Sequence, residues 1–355
     1  MKGVDSPLSK SVSWRWAGIL IFVGLPWALI YLLIAFGEKL PSEATLKNAL
    51  FRSRHVVDTV AVGDSRVMRL SEEEFLAKGW AFFNMGLSGM SPEDVALQLQ
   101  YAFAGGAIRR VILGVSFENM TERFPFEHSR YWKEPVFASP EFVSFAGEPP
   151  TVTSGAAEGG GLWLRALAHS YILPFDGAAP GFHMALARLG IKSLPDVFLP
   201  NGNAAYAEVQ KEIARGAYDF RHKRDPAIYF SRPDGEARYT QTRALSKSGL
   251  ALYRKMFAFL SDSNIPCVAF ETGRTPEYQA LLDANPLFKQ LQSEWRDFFR
   301  AQRNICVDFI EASSINYAAS DFFDAVHYIG QTEHRVAARL VESLTRLETT
   351  CKRTD

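Results

Sequence analysis

Short apolar, β-branched runs recur along this chain with amphipathic helical patterns between them, and that alternation leaves few architectures open. VVDTVAVGD (Val56 to Asp64), AFFNMG (Ala81 to Gly86), RRVILGVSF (Arg109 to Phe117), IPCVAFET (Ile265 to Thr272) and NICVDFIE (Asn304 to Glu311) read as strands. Ser91-Pro92-Glu93-Asp94 opens a helix to about Phe103, with a capping serine, a first-turn proline and early acids. Further helices are expected around Leu245 to Ser261, Glu277 to Arg300 and Thr332 to Leu347. Strands alternating with helices of this length predict an α/β domain, a parallel sheet with helices on both faces. In such folds ligands collect at the carboxyl ends of the strands.

The N-terminus obeys a different rule. AGILIFVGLPWALIYLLIAF, Ala17 to Phe36, carries no charged side chain, and about 20 such residues cross a hydrocarbon core of roughly 30 Å as a helix. A cleaved signal peptide has an apolar stretch of only about 7–15 residues and a small-residue cleavage site, and this run is longer and lacks a clear A-x-A. Trp14 and Trp16 stand where interfacial anchors belong, and Pro26 is tolerable inside a membrane helix. The expected layout is a tail over 1–16, a single transmembrane anchor over 17–36, a linker over 37–55 and the α/β domain over 56–350. The lipid bilayer is thus the first expected partner. Lys2, Lys10 and Arg15 before the run are balanced by Lys39, Lys47, Arg52 and Arg54 after it, so charge does not set the orientation.

Between about 121 and 240 the regular alternation lapses. Prolines and glycines recur, including Pro174, Gly177, Pro180, Pro195, Pro200 and Gly202, which marks a long insertion over the site. Its aromatics, among them Tyr131, Trp132, Trp163, Phe175, Tyr206, Tyr218 and Tyr229, suit either sugar stacking or a small core of their own. Thirty-nine basic residues match 39 acidic ones, so no net field favours a polyanion, and nucleic acid is not an expected partner. Cys267, Cys306 and Cys351 show no C-x-x-C or metal-ligand spacing, and no metal or cofactor is expected. The first two lie in apolar runs and read as buried, unreactive thiols.

Chemistry concentrates at two places. Gly63-Asp64-Ser65 ends the first strand, where the chain turns towards a helix and would present the Ser65 hydroxyl above the sheet near helix N-terminal amides. Asp324-Ala325-Val326-His327 follows the last strand. That spacing lets one turn hold both groups, the carboxylate steadying one imidazole nitrogen while the other faces a serine. A doubly wound sheet would bring both segments to one crevice.

With these blocks in view, the chain resembles the SGNH (GDSL-like) hydrolase superfamily. The resemblance implies a flavodoxin-like three-layer fold, with Ser65 in VAVGDSR as nucleophile and Asp324 and His327 in FFDAVHYIGQTEHRVAARL completing a triad. It implies the Ser65 and Gly86 amides as oxyanion donors, Gly86 lying in Asn84-Met85-Gly86-Leu87-Ser88-Gly89. The third block departs from the family's Gly-x-Asn-Asp: it reads Gly114-Val115-Ser116-Phe117-Glu118-Asn119, with Ser116 in the asparagine's place. Three readings follow: Asn119 substitutes from a longer loop, Ser116 donates weakly, or the third donor is missing.

The anchor and insertion look most like membrane-tethered extracytoplasmic SGNH proteins that help acylate cell-surface polymers, as in alginate O-acetylation and teichoic acid D-alanylation. That likeness implies a periplasmic or extracellular domain, an O-acyltransferase or esterase activity on an exported polysaccharide, and a membrane-bound acyltransferase as partner. A lipase or thioesterase, and a non-catalytic partner of such an acyltransferase, are the alternatives.

Overall fold

The computed structural model describes residues 43–54, 56–122, 199, 201–204, 206–230 and 242–351. Every described residue belongs to one compact unit that begins at Glu43. Helix α1 (Glu43–Ser53) leads to β1 (Thr59–Val62), α2 (Glu72–Leu76), β2 (Phe82–Asn84), α3 (Pro92–Gly105) and β3 (Arg110–Val115). The short helices α4 (Ala207–Ala214), α5 (Phe220–Arg224) and α6 (Pro226–Phe230) follow. The chain then forms α7 (Lys247–Asp262), β4 (Cys267–Glu271), α8 (Pro276–Asp283), α9 (Pro286–Ala301), β5 (Val307–Ile310) and α10 (Gln331–Cys351).

Among the described residues five strands form one parallel sheet, in the order β2-β1-β3-β4-β5. This is the doubly wound arrangement in which the order reverses beside β1 and opens a crevice between β1 and β3. Strand periodicity sorts side chains onto two faces. Val60, Val62, Val111, Leu113, Val115, Cys267, Ala269, Val307 and Phe309 join a core filled from α1, α3, α7, α8 and α9. Their neighbours Ala61, Ile112, Val268, Phe270 and Ile310 face the opposite way, onto α2 and α10. Both sides of every inner strand are therefore buried, which is why the strands read as continuous apolar runs.

Local signals explain the helix boundaries. Ser91 accepts the Asp94 amide while Asp94 accepts the Ser91 amide, a reciprocal cap with Pro92 in the first turn. The single helix expected from Glu277 to Arg300 is two, because Asn285 caps the amides of Leu287 and Phe288 and Pro286 starts a new first turn. The residue before a proline is driven out of helical geometry, which ends α8. The stretch expected as a linker contains α1, whose Ala44 and Phe51 are buried in the main core, with Phe51 packed against Phe83 and Tyr101.

Cysteine usage differs from the sequence expectation. Cys306, expected as a free buried thiol, is disulfide-bonded to Cys351, with Cα atoms 4.6 Å apart. Cys306 immediately precedes β5 and Cys351 ends α10, so the fold brings together positions 45 residues apart that no local pattern connects. Cys267 remains a buried free thiol, its pKa pushed up by burial.

Among the described residues no helix is long and apolar enough to cross a membrane. The run from Ala17 to Phe36 lies outside them, as do most of the insertion and its Tyr131, Trp132, Trp163 and Phe175.

Candidate active site

The nucleophile candidate sits on a sharp turn at the carboxyl end of β1. After Val62 the chain reverses tightly: the Val67 amide donates to the Asp64 carbonyl at 3.0 Å and the Met68 amide to the Ser65 carbonyl at 3.2 Å. The turn passes so close to β3 that a Cβ on Gly63 would lie 2.7 Å from the Gly114 carbonyl and 2.6 Å from a Val67 methyl. Only glycine fits there, which accounts for the first letter of the GDS sequence. Ser65 is left half-buried at the crevice.

Asp324 and His327 occupy one turn between β5 and α10. Asp324 Oδ1 accepts the amides of Val326 at 2.9 Å and His327 at 2.8 Å, leaving Oδ2 to meet His327 Nδ1 at 2.7 Å. His327 Nε2 is 2.8 Å from Ser65 Oγ. The turn is fixed from outside as well, since the Ala325 carbonyl accepts the Thr275 amide at 2.9 Å. Burial works against ionisation of Asp324. The neighbouring His327 charge, the ring hydrogen bond and the two amides outweigh it and hold the carboxyl below its ordinary range. An ionised Asp324 favours a proton on Nδ1, which leaves Nε2 free to accept the serine hydroxyl.

The expected oxyanion donors are arranged differently from one another. Among the described residues no acceptor takes the Ser65 amide. The Gly86 amide donates to Asn84 Oδ1 at 2.9 Å, and the Gly86 carbonyl accepts Lys47 Nζ from α1. Asn119 Nδ2 lies 2.9 Å from Asp64 Oδ2 and 2.9 Å from the Met90 carbonyl, so both of its amide hydrogens have acceptors. Ser116 Oγ donates to Asp64 Oδ2 at 2.6 Å and must therefore accept from Thr272 Oγ1 at 2.7 Å. Ser116 and Asn119 thus converge on the carboxylate beside Ser65.

Several residues to which the sequence reading assigned no role also take part. Asp64 is a hub, accepting from the Arg66 amide at 3.0 Å as well as from Ser116 and Asn119. Arg66, buried behind it, bonds Glu118 at 2.9 Å. Burial alone would raise the Glu118 carboxyl, but the Arg274 and Arg66 guanidiniums bring it down to about 2. Asn84 Nδ2 donates to the Val67 carbonyl at 2.7 Å and to Asn203 Oδ1 at 2.8 Å, which pins the Gly86 loop to the turn after Ser65. Asn84 stood in the sequence block already singled out. Lys47 and Asn203 did not, and Asn201-Gly202-Asn203 signals only a turn.

Among the described residues no three His, Cys, Asp or Glu side chains gather as a metal site. No protein-family model matches the chain, and no curated protein matches its sequence.

Proposed function

We propose that the chain is an SGNH-type serine O-acyltransferase or esterase, membrane-anchored through Ala17 to Phe36 and acting outside the cytoplasm on an exported polysaccharide. The observation that carries the reading is the continuous hydrogen-bonded chain from Asp324 through His327 to Ser65, at 2.7 and 2.8 Å, over the carboxyl ends of the strands. Ser65 Oγ attacks an acyl carbonyl while its proton passes to His327 Nε2. Asp324 stabilises the imidazolium that forms. His327 then returns the proton to the leaving oxygen, and the acyl group remains on Ser65. A sugar hydroxyl or a water, deprotonated by the same nitrogen, releases it. The Ser65 amide is available to the oxyanion, and the Gly86 amide joins it if the Asn84 side chain yields. The Cys306–Cys351 disulfide supports an oxidising compartment.

A second reading, a non-catalytic SGNH-fold partner of a membrane-bound acyltransferase, draws on the hydrogen bonds that already occupy Gly86, Ser116 and Asn119. Intact mass measurement of the full-length protein after exposure to p-nitrophenyl acetate separates the two. An acetyl adduct on Ser65, absent from Ser65→Ala, is expected. A folded wild-type protein that neither acquires an adduct nor releases p-nitrophenolate faster than Ser65→Ala would overturn the enzyme reading in favour of the partner.

A further inference from the structure

The triad does not explain the rings around His327. Phe323 lies flat on the imidazole, centroids 5.4 Å apart and planes within 11°, and Tyr206 stands against the same ring at 5.7 Å. The aromatic surface continues outward, with Tyr218 meeting Phe323 edge-on at 6.3 Å and Phe220 meeting Tyr218 at 4.9 Å. Phe323 is buried, whereas Tyr206, Tyr218 and Phe220 each keep part of their surface open. Two guanidiniums ride on this surface: Arg69 over Tyr206 at 5.6 Å and Arg224 over Phe220 at 4.6 Å. Arg224 is held in place by donating Nε to the Phe322 carbonyl at 2.7 Å.

Two further facts separate this cluster from ordinary packing. Tyr206 has φ 46° and ψ 39°, the left-handed region that side-chain-bearing residues seldom occupy. Such conformations persist where surrounding structure imposes them, and they gather at functional sites. The Tyr218 phenol is pushed up to about 12, first by burial and then by the negative charge of Asp324, so it stands within electrostatic reach of the triad.

We infer that Tyr206, Tyr218 and Phe220 form a stacking subsite for one pyranose ring of the glycan, on the His327 side of the crevice. A pyranose has an apolar face of axial C–H bonds and a rim of hydroxyls. The part of each aromatic surface left open takes the first, and the phenols, with the guanidiniums stacked over Tyr206 and Phe220, take the second. An aliphatic acyl chain would be served by uncharged walls instead. Placement also matters, because the hydroxyl that resolves the acyl-enzyme must reach His327 Nε2. Its proton passes to that nitrogen as its oxygen attacks the acyl carbonyl, and the Ser65–acyl bond breaks as Ser65 Oγ regains the proton.

The inference rests on the acyl-enzyme reading, yet it is tested without turnover. Full-length protein carrying Ser65→Ala is titrated with cellopentaose, mannopentaose and chitopentaose by calorimetry. At least one should bind, and Phe220→Leu and Tyr218→Leu, which keep apolar volume but remove the ring, should each weaken it about five- to tenfold. Phe220→Tyr, which keeps the ring, should bind within about twofold of the parent. Two separate positions carry the test, so one variant that melts early does not decide it. Undiminished binding in a folded Leu variant overturns the inference, as does the absence of binding by all three pentasaccharides. Failure of Ser65 to acetylate would overturn the parent reading and leave this binding result standing.

Discussion

Replacing Asn119 by alanine separates two roles that a glance at the sequence would merge. In the structure its amide nitrogen spends one hydrogen on the Asp64 carboxylate and the other on the Met90 carbonyl, each at 2.9 Å. A hydrogen bond to a charged group is worth about 1.5–3 kcal/mol and a neutral one about 0.5–1.5 kcal/mol. Asp64 would keep Ser116 and the Arg66 amide, and water can enter because Asn119 is only half-buried. The net cost to stability is therefore expected at about 2–3 kcal/mol. Loss of an oxyanion donor would instead lower turnover by about 10²–10³ with little change in stability. Urea unfolding of the Asn119→Ala chain, paired with the rate of Ser65 acylation by p-nitrophenyl acetate, reads both quantities. The expected result is a clear loss of stability with acylation reduced less than about tenfold. Unchanged stability with a fall of about 10²–10³ in rate would refute the reasoning and make Asn119 the third donor.

Asp324→Asn should lower Ser65 acylation roughly 10⁴-fold through the wrong imidazole tautomer, with folding retained by circular dichroism; a variant of wild-type rate would remove Asp324 from the mechanism. Reducing or replacing the Cys306–Cys351 bond, which spans 45 residues, should cost about 3–4 kcal/mol in denaturant unfolding, and an unchanged midpoint would show the link to be incidental. Burial pushes Glu333 up to about 7, outweighing Arg69, 2.5 Å away. The native state therefore keeps a proton that the unfolded chain releases from about 4.5. Stability should fall as pH rises between those values and then level off, because the native state binds more protons across that window. Glu333→Gln should flatten this part of the melting-temperature profile, and superimposable profiles would contradict the assignment.

The alternation of apolar runs and helical patterns was legible because both faces of each inner strand are buried, and all five strands lie within the runs that predicted them. The grouping of Ser65, His327 and Asp324 was legible for a related reason: Ser65 and the Asp324–His327 turn each follow a strand, and a parallel sheet gathers strand ends at one edge. The helix break at Asn285-Pro286 was written in local chemistry yet was masked by the apolar period running through it. What could not be read were pairings between distant positions without periodicity. Lys47 meets Gly86 across 39 residues and Asn84 meets Asn203 across 119, each through a single polar contact. The cysteine pair belongs to the same class. Ser116 and Asn119 were placed in the right neighbourhood by the third block, but it is the fold that turns them both to Asp64.

The lysine from α1 that holds the Gly86 carbonyl sets a practical limit on where this protein can be cut. The sheet begins at Thr59, and a truncation designed from strand boundaries would start just before it. Such a fragment would retain Ser65, Asp324 and His327 while discarding Lys47 and the Phe51 side chain that plugs the core between Phe83 and Tyr101. The loop carrying Gly86 would lose its outer brace, and the exposed flank of α3 would invite self-association. A fragment that keeps these contacts must begin at or before Glu43, so the smallest intact unit extends upstream of its own first strand.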